Sequence, residues 1–249
     1  MKPWIGVTVH MDEGKEDDLY PHHPLLYVER DYIQALEEHD MNPVLIPVLS
    51  NAGNVPDYLE KLDGLIMTGG GYLNLSKPLS ASTRLRETGS KRFAFEEQFL
   101  KAAVESGMPV LGVCRGMQMI NEVFGGNLQN LKNNDHHQEV KGLEGSLPVH
   151  GLELDSSSYL ANIIGNKPLQ VNSRHRQVIS QTGNIAPADK KLYALSEEDQ
   201  WIEAIESVED RWLIGLQFHP EQLYKKEQRW SLLFESFKDA ALAYRNTQV

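Results

Sequence analysis

The apolar run Pro109-Val110-Leu111 breaks into Gly112-Val113-Cys114-Arg115-Gly116 and resumes as Met117-Gln118-Met119-Ile120, and no other stretch constrains this chain as much. A strand that passes between two glycines into a helix must bend sharply, and the residue at the bend is lifted clear of the sheet. That residue is Cys114, the only cysteine of the 249 residues. The arrangement is the thiol counterpart of a nucleophile elbow. A helix starting at Arg115 aims its free N–H groups at the sulfur and so favours thiolate over thiol. A lone cysteine is otherwise a small buried hydrophobe, and it is the glycine frame that favours the reactive reading.

A thiolate nucleophile needs a proton partner, and the chain offers one late, in Trp212-Leu213-Ile214-Gly215-Leu216-Gln217-Phe218-His219-Pro220-Glu221. The apolar run predicts a strand ending at His219. Two residues on, Glu221 can accept the other imidazole N–H, fixing the tautomer and stabilising the imidazolium that forms during reaction. Pro220 is expected to keep this stretch rigid and non-helical. Taken alone, a His-Pro-Glu is commonly just a turn at a strand end. A third segment, Leu65-Ile66-Met67-Thr68-Gly69-Gly70-Gly71, is again an apolar strand that ends in glycines. Without Cβ atoms, such a turn can bring a backbone N–H close to a tetrahedral oxyanion, and the Arg115 N–H can be the second donor. No Gly-Lys-Ser/Thr follows the glycines, which argues against a nucleotide P-loop.

These elbows sit in an alternating pattern. Strands are expected at Trp4 to Val9, Pro43 to Val48, Leu65 to Met67 and from Pro109. Helices are expected near Leu25 to His39, Val55 to Leu62 and Arg92 to Ser106, and from the elbow onward. That order implies βαβ units on a parallel sheet, where ligands bind beyond the carboxyl ends of the strands. Beyond Phe124 the pattern changes, with strands expected at Leu147 to Leu154, Leu192 to Leu195 and Trp201 to Glu206. The last helix carries Leu233, Phe237, Ala240, Ala241 and Tyr244 on one face, a packing stripe.

The segments Thr68-Gly69-Gly70-Gly71, Gly112 to Gln118, Val171-Asn172-Ser173-Arg174-His175-Arg176-Gln177 and Gln217 to Glu221 together resemble the class I glutamine amidotransferase-like family. Within it they are most similar to the free-standing γ-glutamyl hydrolases of the peptidase C26 type. The resemblance covers essentially the whole chain. It implies an α/β three-layer sandwich with a mostly parallel, flavodoxin-like central sheet, built as one domain over residues 1–249. It further implies that Cys114 is the nucleophile, His219 the general base and then acid, and Glu221 the orienting carboxylate. The oxyanion donors fall on the backbone of Gly70 and Arg115. Gly71, Gln118, Asn172, Ser173, Arg174 and His175 match positions lining the γ-glutamyl pocket; Arg174 read alone is equally an ordinary surface charge, and His175 a packed histidine. The activity implied is cofactor-free hydrolysis of a small γ-glutamyl amide, such as γ-glutamyl-γ-aminobutyrate, through a γ-glutamyl thioester. A glutaminase subunit feeding ammonia to a separate synthase is the alternative enzyme, and a catalytically silent binding protein the alternative outside enzymes. The stretch from Tyr72 to Lys91 departs from the family pattern, leaving the identity of the leaving amine open.

A formal charge of −11 argues against broad affinity for nucleic acid or anionic membranes, both of which reward a basic face. It suits cationic or polyamine-derived substrates. A lone cysteine allows no internal disulfide, and without a visible leader or long apolar span the expected compartment is the cytoplasm. A homodimer is plausible by resemblance alone. His22-His23 and His136-His137 suggest metal binding, but adjacent side chains diverge and neither pair has a second ligand pair at a recognised spacing, so no metal is expected.

Overall fold

The structure, a computed structural model, describes residues 1–16, 18–70, 84–86, 90–132, 135–183, 193–196, 201–207 and 211–248. The amino-terminal half runs β1 (Trp4–Thr8), β2 (His10–Asp12), β3 (Leu25–Tyr27), α1 (Arg30–Glu38), β4 (Asn42–Ile46), α2 (Val55–Leu59), β5 (Gly64–Met67), α3 (Lys91–Glu105), β6 (Val110–Val113) and α4 (Arg115–Val123). After it come β7 (Asn127–Asn130), β8 (His150–Leu154), α5 (Tyr159–Ile164), β9 (Leu169–Val171), β10 (Gln177–Gln181), β11 (Tyr193–Ser196), β12 (Ile202–Glu206), β13 (Leu213–Leu216), α6 (Pro220–Leu223) and α7 (Arg229–Thr247).

One sheet holds eleven of these strands, in the order β4-β1-β5-β6-β13-β12-β11-β8-β9, with β10 joining β12 to β7. From β4 to β13 every pairing is parallel, and from β13 onward every pairing is antiparallel. The α/β class expected from the sequence is therefore realised on a mixed sheet whose parallel half follows the βαβ pattern. Alternate residues of its strands feed two cores, as the pleat requires. Ile5, Val7, Ile66, Leu111, Val113 and Ile214 pack with Trp230, Leu233, Phe234 and Phe237 of α7. Leu65, Met67, Val110 and Leu213 pack with Phe95, Phe99 and Ala103 of α3 and Met117 and Ile120 of α4. Helices on both faces of the sheet make the three layers.

Two local expectations are corrected. The helix expected from Leu25 starts at Arg30, because Leu25, Leu26 and Tyr27 pair with Asp12, Met11 and His10 in a two-stranded ribbon. Pro220 opens the short helix α6 instead of preventing one: at the first helical position its missing N–H has no intrahelical partner to lose. Among the described residues no helix is long and apolar enough to cross a membrane.

Candidate active site

The strands β5, β6 and β13 are parallel neighbours, with Met67 and Gly215 both in register with Gly112. Their carboxyl ends therefore emerge side by side, and Thr68-Gly69-Gly70, Cys114 and His219 follow those ends. Cys114 adopts φ +51° and ψ −105° at the entry to α4, a strained geometry for a residue with a side chain. Two contacts hold it there. Its N–H donates to Leu216 O at 2.6 Å, and Gly116 brings the first turn of α4 onto β5 so closely that a Cβ there would lie 1.9 Å from Met67 O.

His219 reaches the sulfur from the neighbouring strand end. Its imidazole is hydrogen-bonded to Cys114, while Nδ1 meets Glu221 Oε1 at 2.6 Å, with all three side chains buried. Burial alone would lower the imidazole pKa. The Glu221 charge and the hydrogen bonds to Cys114 and Glu221 outweigh it and raise the value to about 10. The His219 backbone is clamped by Asn172, whose Oδ1 accepts from His219 N–H at 2.8 Å and whose Nδ2 donates to Gly145 O at 2.9 Å.

The glycine turn after β5 closes the other side. A Cβ on Gly69 would stand 3.1 Å from both His219 Cε1 and the Tyr32 hydroxyl and 3.5 Å from Cys114 Cβ, so only glycine fits without displacing them. The Gly69 N–H donates to that hydroxyl at 3.0 Å, whereas Gly70 is exposed with open space on its Cβ side. The Arg115 N–H, first in α4, lacks an intrahelical acceptor. The Arg115 side chain leaves the site for Glu96, at 2.5 Å, which also binds Arg92 at 2.8 Å. Burial opposes the Glu96 charge, but the two guanidiniums hold its carboxyl below the ordinary value. Arg92 in turn donates to the Thr68 hydroxyl at 2.9 Å and contacts His10 Nδ1 at 2.7 Å, so a buried ionic network braces the turn from beneath.

The remaining candidates are placed differently. Gln118 is buried, and its Nε2 donates to Gln177 O at 2.9 Å and Gln217 Oε1 at 3.0 Å. Ser173 is buried, with its hydroxyl donating to His136 O at 2.9 Å, and His175 is buried beside Gln177 O and Glu203. Arg174 alone of the Asn172–His175 segment lines an open cleft of about 390 Å³, which Glu221 also borders. There Arg174 pairs with Glu139 at 2.8 Å and Glu29 at 3.5 Å. Gly71 and, of the divergent 72–91 stretch, residues 72–83 and 87–89 lie outside the described residues. Tyr32, Glu29, Arg92 and Glu96 were not singled out from sequence. The spacing Arg92 to Glu96 is an ordinary helical ion pair, and nothing local marks it as buried.

Residues 3–221 match the family described as Peptidase C26, and the chain belongs to that class I glutamine amidotransferase-like family of hydrolases. It is 30% identical over 226 residues to YvdE of Lactococcus lactis, described as glutamine amidotransferase-like, covering 87% of this chain and 89% of YvdE. It is also 30% identical over 184 residues to the imidazole glycerol phosphate synthase subunit HisH of Halalkalibacterium halodurans, covering 67% of this chain and 74% of HisH. The fold is shared with a Thermoplasma acidophilum protein described as a candidate GMP synthase subunit, at a TM-score of 0.63 and 19% identity, covering 100% of this chain and 98% of that one.

Proposed function

We propose that this protein hydrolyses the γ-glutamyl amide of a small organic amine, with Cys114 as nucleophile, His219 as proton carrier and Glu221 as the carboxylate that orients it. The observation that carries the reading is the single buried imidazole hydrogen-bonded at once to Cys114 and, at 2.6 Å, to Glu221. With its pKa raised, His219 holds the proton that the departing amine needs. Cys114 Sγ bonds to the γ-carbonyl carbon, and the carbonyl electron pair moves onto oxygen, facing the N–H groups of Gly70 and Arg115. Collapse breaks the C–N bond, and the amine leaves with the His219 proton. Water then gives a proton to His219 as its oxygen attacks the thioester, and the thiolate leaves glutamate behind.

The leaving amine is proposed to carry a further positive charge. Glu29, Asp31, Glu139 and Glu144 line the cleft against Arg174 and Lys225, an excess of carboxylates that suits a γ-glutamyl polyamine better than a carboxylate-tailed amide such as γ-glutamyl-γ-aminobutyrate. Contacts made only with the amine raise turnover of such amides above that of glutamine. The test compares kcat/KM of the isolated chain for a γ-glutamyl polyamine, γ-glutamyl-γ-aminobutyrate and glutamine, in that expected order. Cys114→Ser should remove more than about 10⁴-fold of each activity; retained turnover in that variant ends the proposal. The second reading, an ammonia-supplying subunit, is favoured by the likeness to HisH, a synthase subunit. Preference for glutamine, with activity that rises on adding a synthase, would establish it instead.

A further inference from the structure

Four side chains from separate segments of the antiparallel half gather around one carboxylate. His150 opens β8, Glu203 lies in β12, His175 precedes β10 and His136 follows β7, and all four are buried. One ligand atom from each of His136, His150 and Glu203 lies within 4.8 Å of the other two. Around Glu203 Oε1, His175 Nε2 stands at 3.6 Å, His150 Nε2 at 3.9 Å and His136 Nδ1 at 4.0 Å.

Hydrogen bonding fixes which nitrogens face the carboxylate. His150 Nδ1 lies 3.0 Å from Gly151 O, and His175 Nδ1 lies 3.1 Å from Gln177 O. A carbonyl oxygen only accepts, so each Nδ1 is a donor and each Nε2 is the nitrogen left to face Glu203. His150 Nε2 is buried with no hydrogen-bond partner. A buried carboxylate beside these nitrogens is stabilised by a positive charge among them, carried by a proton or by a metal ion. A proton shared between such groups draws them to about 2.7–2.9 Å. Two ligands of a tetrahedral ion with bonds of about 2.0–2.1 Å stand roughly 3.4 Å apart, much nearer to the separations here.

We propose that His136, His150 and Glu203 form a buried site for a divalent transition metal of the zinc type, beside His175 and distinct from Cys114, His219 and Glu221. Two imidazoles and one carboxylate are ligands that zinc takes, and the Gly151 carbonyl on the outer nitrogen of His150 is the usual support for such a ligand. His136 Nδ1 also lies 3.0 Å from Ser173 Oγ and would exchange that contact for the metal. The site's role is structural. It ties β8 and β12 to His136, which is bonded to the Asn172–His175 segment, whose Asn172 holds the His219 backbone, and the Glu203 carbonyl accepts from Gln217 N–H at 2.8 Å. No regular ligand spacing marks it in the sequence, because the ligands come from three separate segments.

The test uses the full chain, stripped with a chelator under native conditions and given one equivalent of Zn²⁺ or Co²⁺ before gel filtration and metal analysis. The parent should retain about one ion per chain, show the visible absorption of four-coordinate cobalt with nitrogen and oxygen ligands, and melt at higher temperature than the stripped protein. Glu203→Gln and His150→Gln should each lose the retained ion and the absorption, while a His22→Gln, His23→Gln double variant keeps both. A parent that retains no ion overturns the proposal. So does an intense near-ultraviolet thiolate band, which would put the ion on Cys114, or retention unchanged in both ligand variants. Should one variant fail to fold, the parent spectrum and the other variant decide.

Discussion

The parallel half of the sheet carries the proposed reacting groups at its strand ends, and the antiparallel half adds side chains that brace and surround them. Cys114 and His219 each follow a parallel strand, and Glu221 lies in the first turn of the helix after β13. Asn172 and Arg174 come from the antiparallel half: one fixes the His219 backbone, and the other stands in the cleft among carboxylates. The difference teaches where each kind of residue can sit. A reacting side chain must leave the sheet at a bend, which parallel strands provide at one common edge. A holding side chain needs only a rigid neighbour, which antiparallel pairing provides anywhere.

The largest effect is expected where the reactive half is packed most tightly. Gly116→Ala would force a Cβ to within 1.9 Å of the Met67 carbonyl oxygen, backbone against backbone. Helix α4 must then shift off β5, costing at least about 3 kcal/mol of stability and displacing Cys114 with it. Chemical denaturation measures the first and alkylation of Cys114 the second. A variant as stable as the parent would break the claim that the elbow is pinned by this contact.

Next comes Glu221→Gln, which keeps the hydrogen bond's shape and removes its charge. A fall of about 10²-fold or more in kcat is expected, since the imidazolium loses its counter-charge. The same variant has a stability signature. The His219 pKa is raised on folding from an ordinary 6.5 to about 10, so the stabilisation it brings is complete below about pH 6.5 and is lost as pH rises towards 10. The parent should therefore weaken between neutral pH and pH 10 by urea denaturation, and Glu221→Gln should weaken less over that range. Equal slopes would mean that Glu221 does not set the imidazole's charge.

Asn172→Ala probes the holding half. It strands the buried His219 N–H, for a loss of about 1–3 kcal/mol, and loosens the imidazole against Cys114. A positioning role predicts a kcat about tenfold lower with KM nearly unchanged. A rise in KM alone would make Asn172 a substrate contact instead.

The two halves also differ in how legibly they were written. Cys114 and the turn after β5 stand out because a bend after a strand demands glycine, and Gly112, Gly116, Gly69 and Gly70 mark those two bends, while His219 is marked by an apolar run that ends in His-Pro-Glu. No comparable signal marks the other half. Strand β7 reads Asn127-Leu128-Gln129-Asn130 and β9 has three residues, too short and polar for alternation to register. Asn172 as a clamp, the Arg92–Glu96–Arg115 network and the convergence of His136, His150 and Glu203 all depend on contacts between distant segments. Local pattern carries no trace of them.

The smallest expected effect concerns the cleft, where the halves meet around the proposed leaving amine. Asp31 on α1 lines it and accepts from Gln222 Nε2 at 3.0 Å, keeping its charge near the opening without touching Cys114 or His219. Asp31→Asn retains the side chain's shape and removes one negative charge from an open, water-filled surface, where a single charge contributes about 1 kcal/mol or less to attraction of a cation. The ratio of kcat/KM for a γ-glutamyl polyamine to that for γ-glutamyl-γ-aminobutyrate should therefore fall by about threefold to fivefold, and added salt should shrink the difference between parent and variant, because the interaction is screened. A ratio that stays fixed at low salt would show that the amine leaves by another route, and the acidic lining would then be no guide to the substrate.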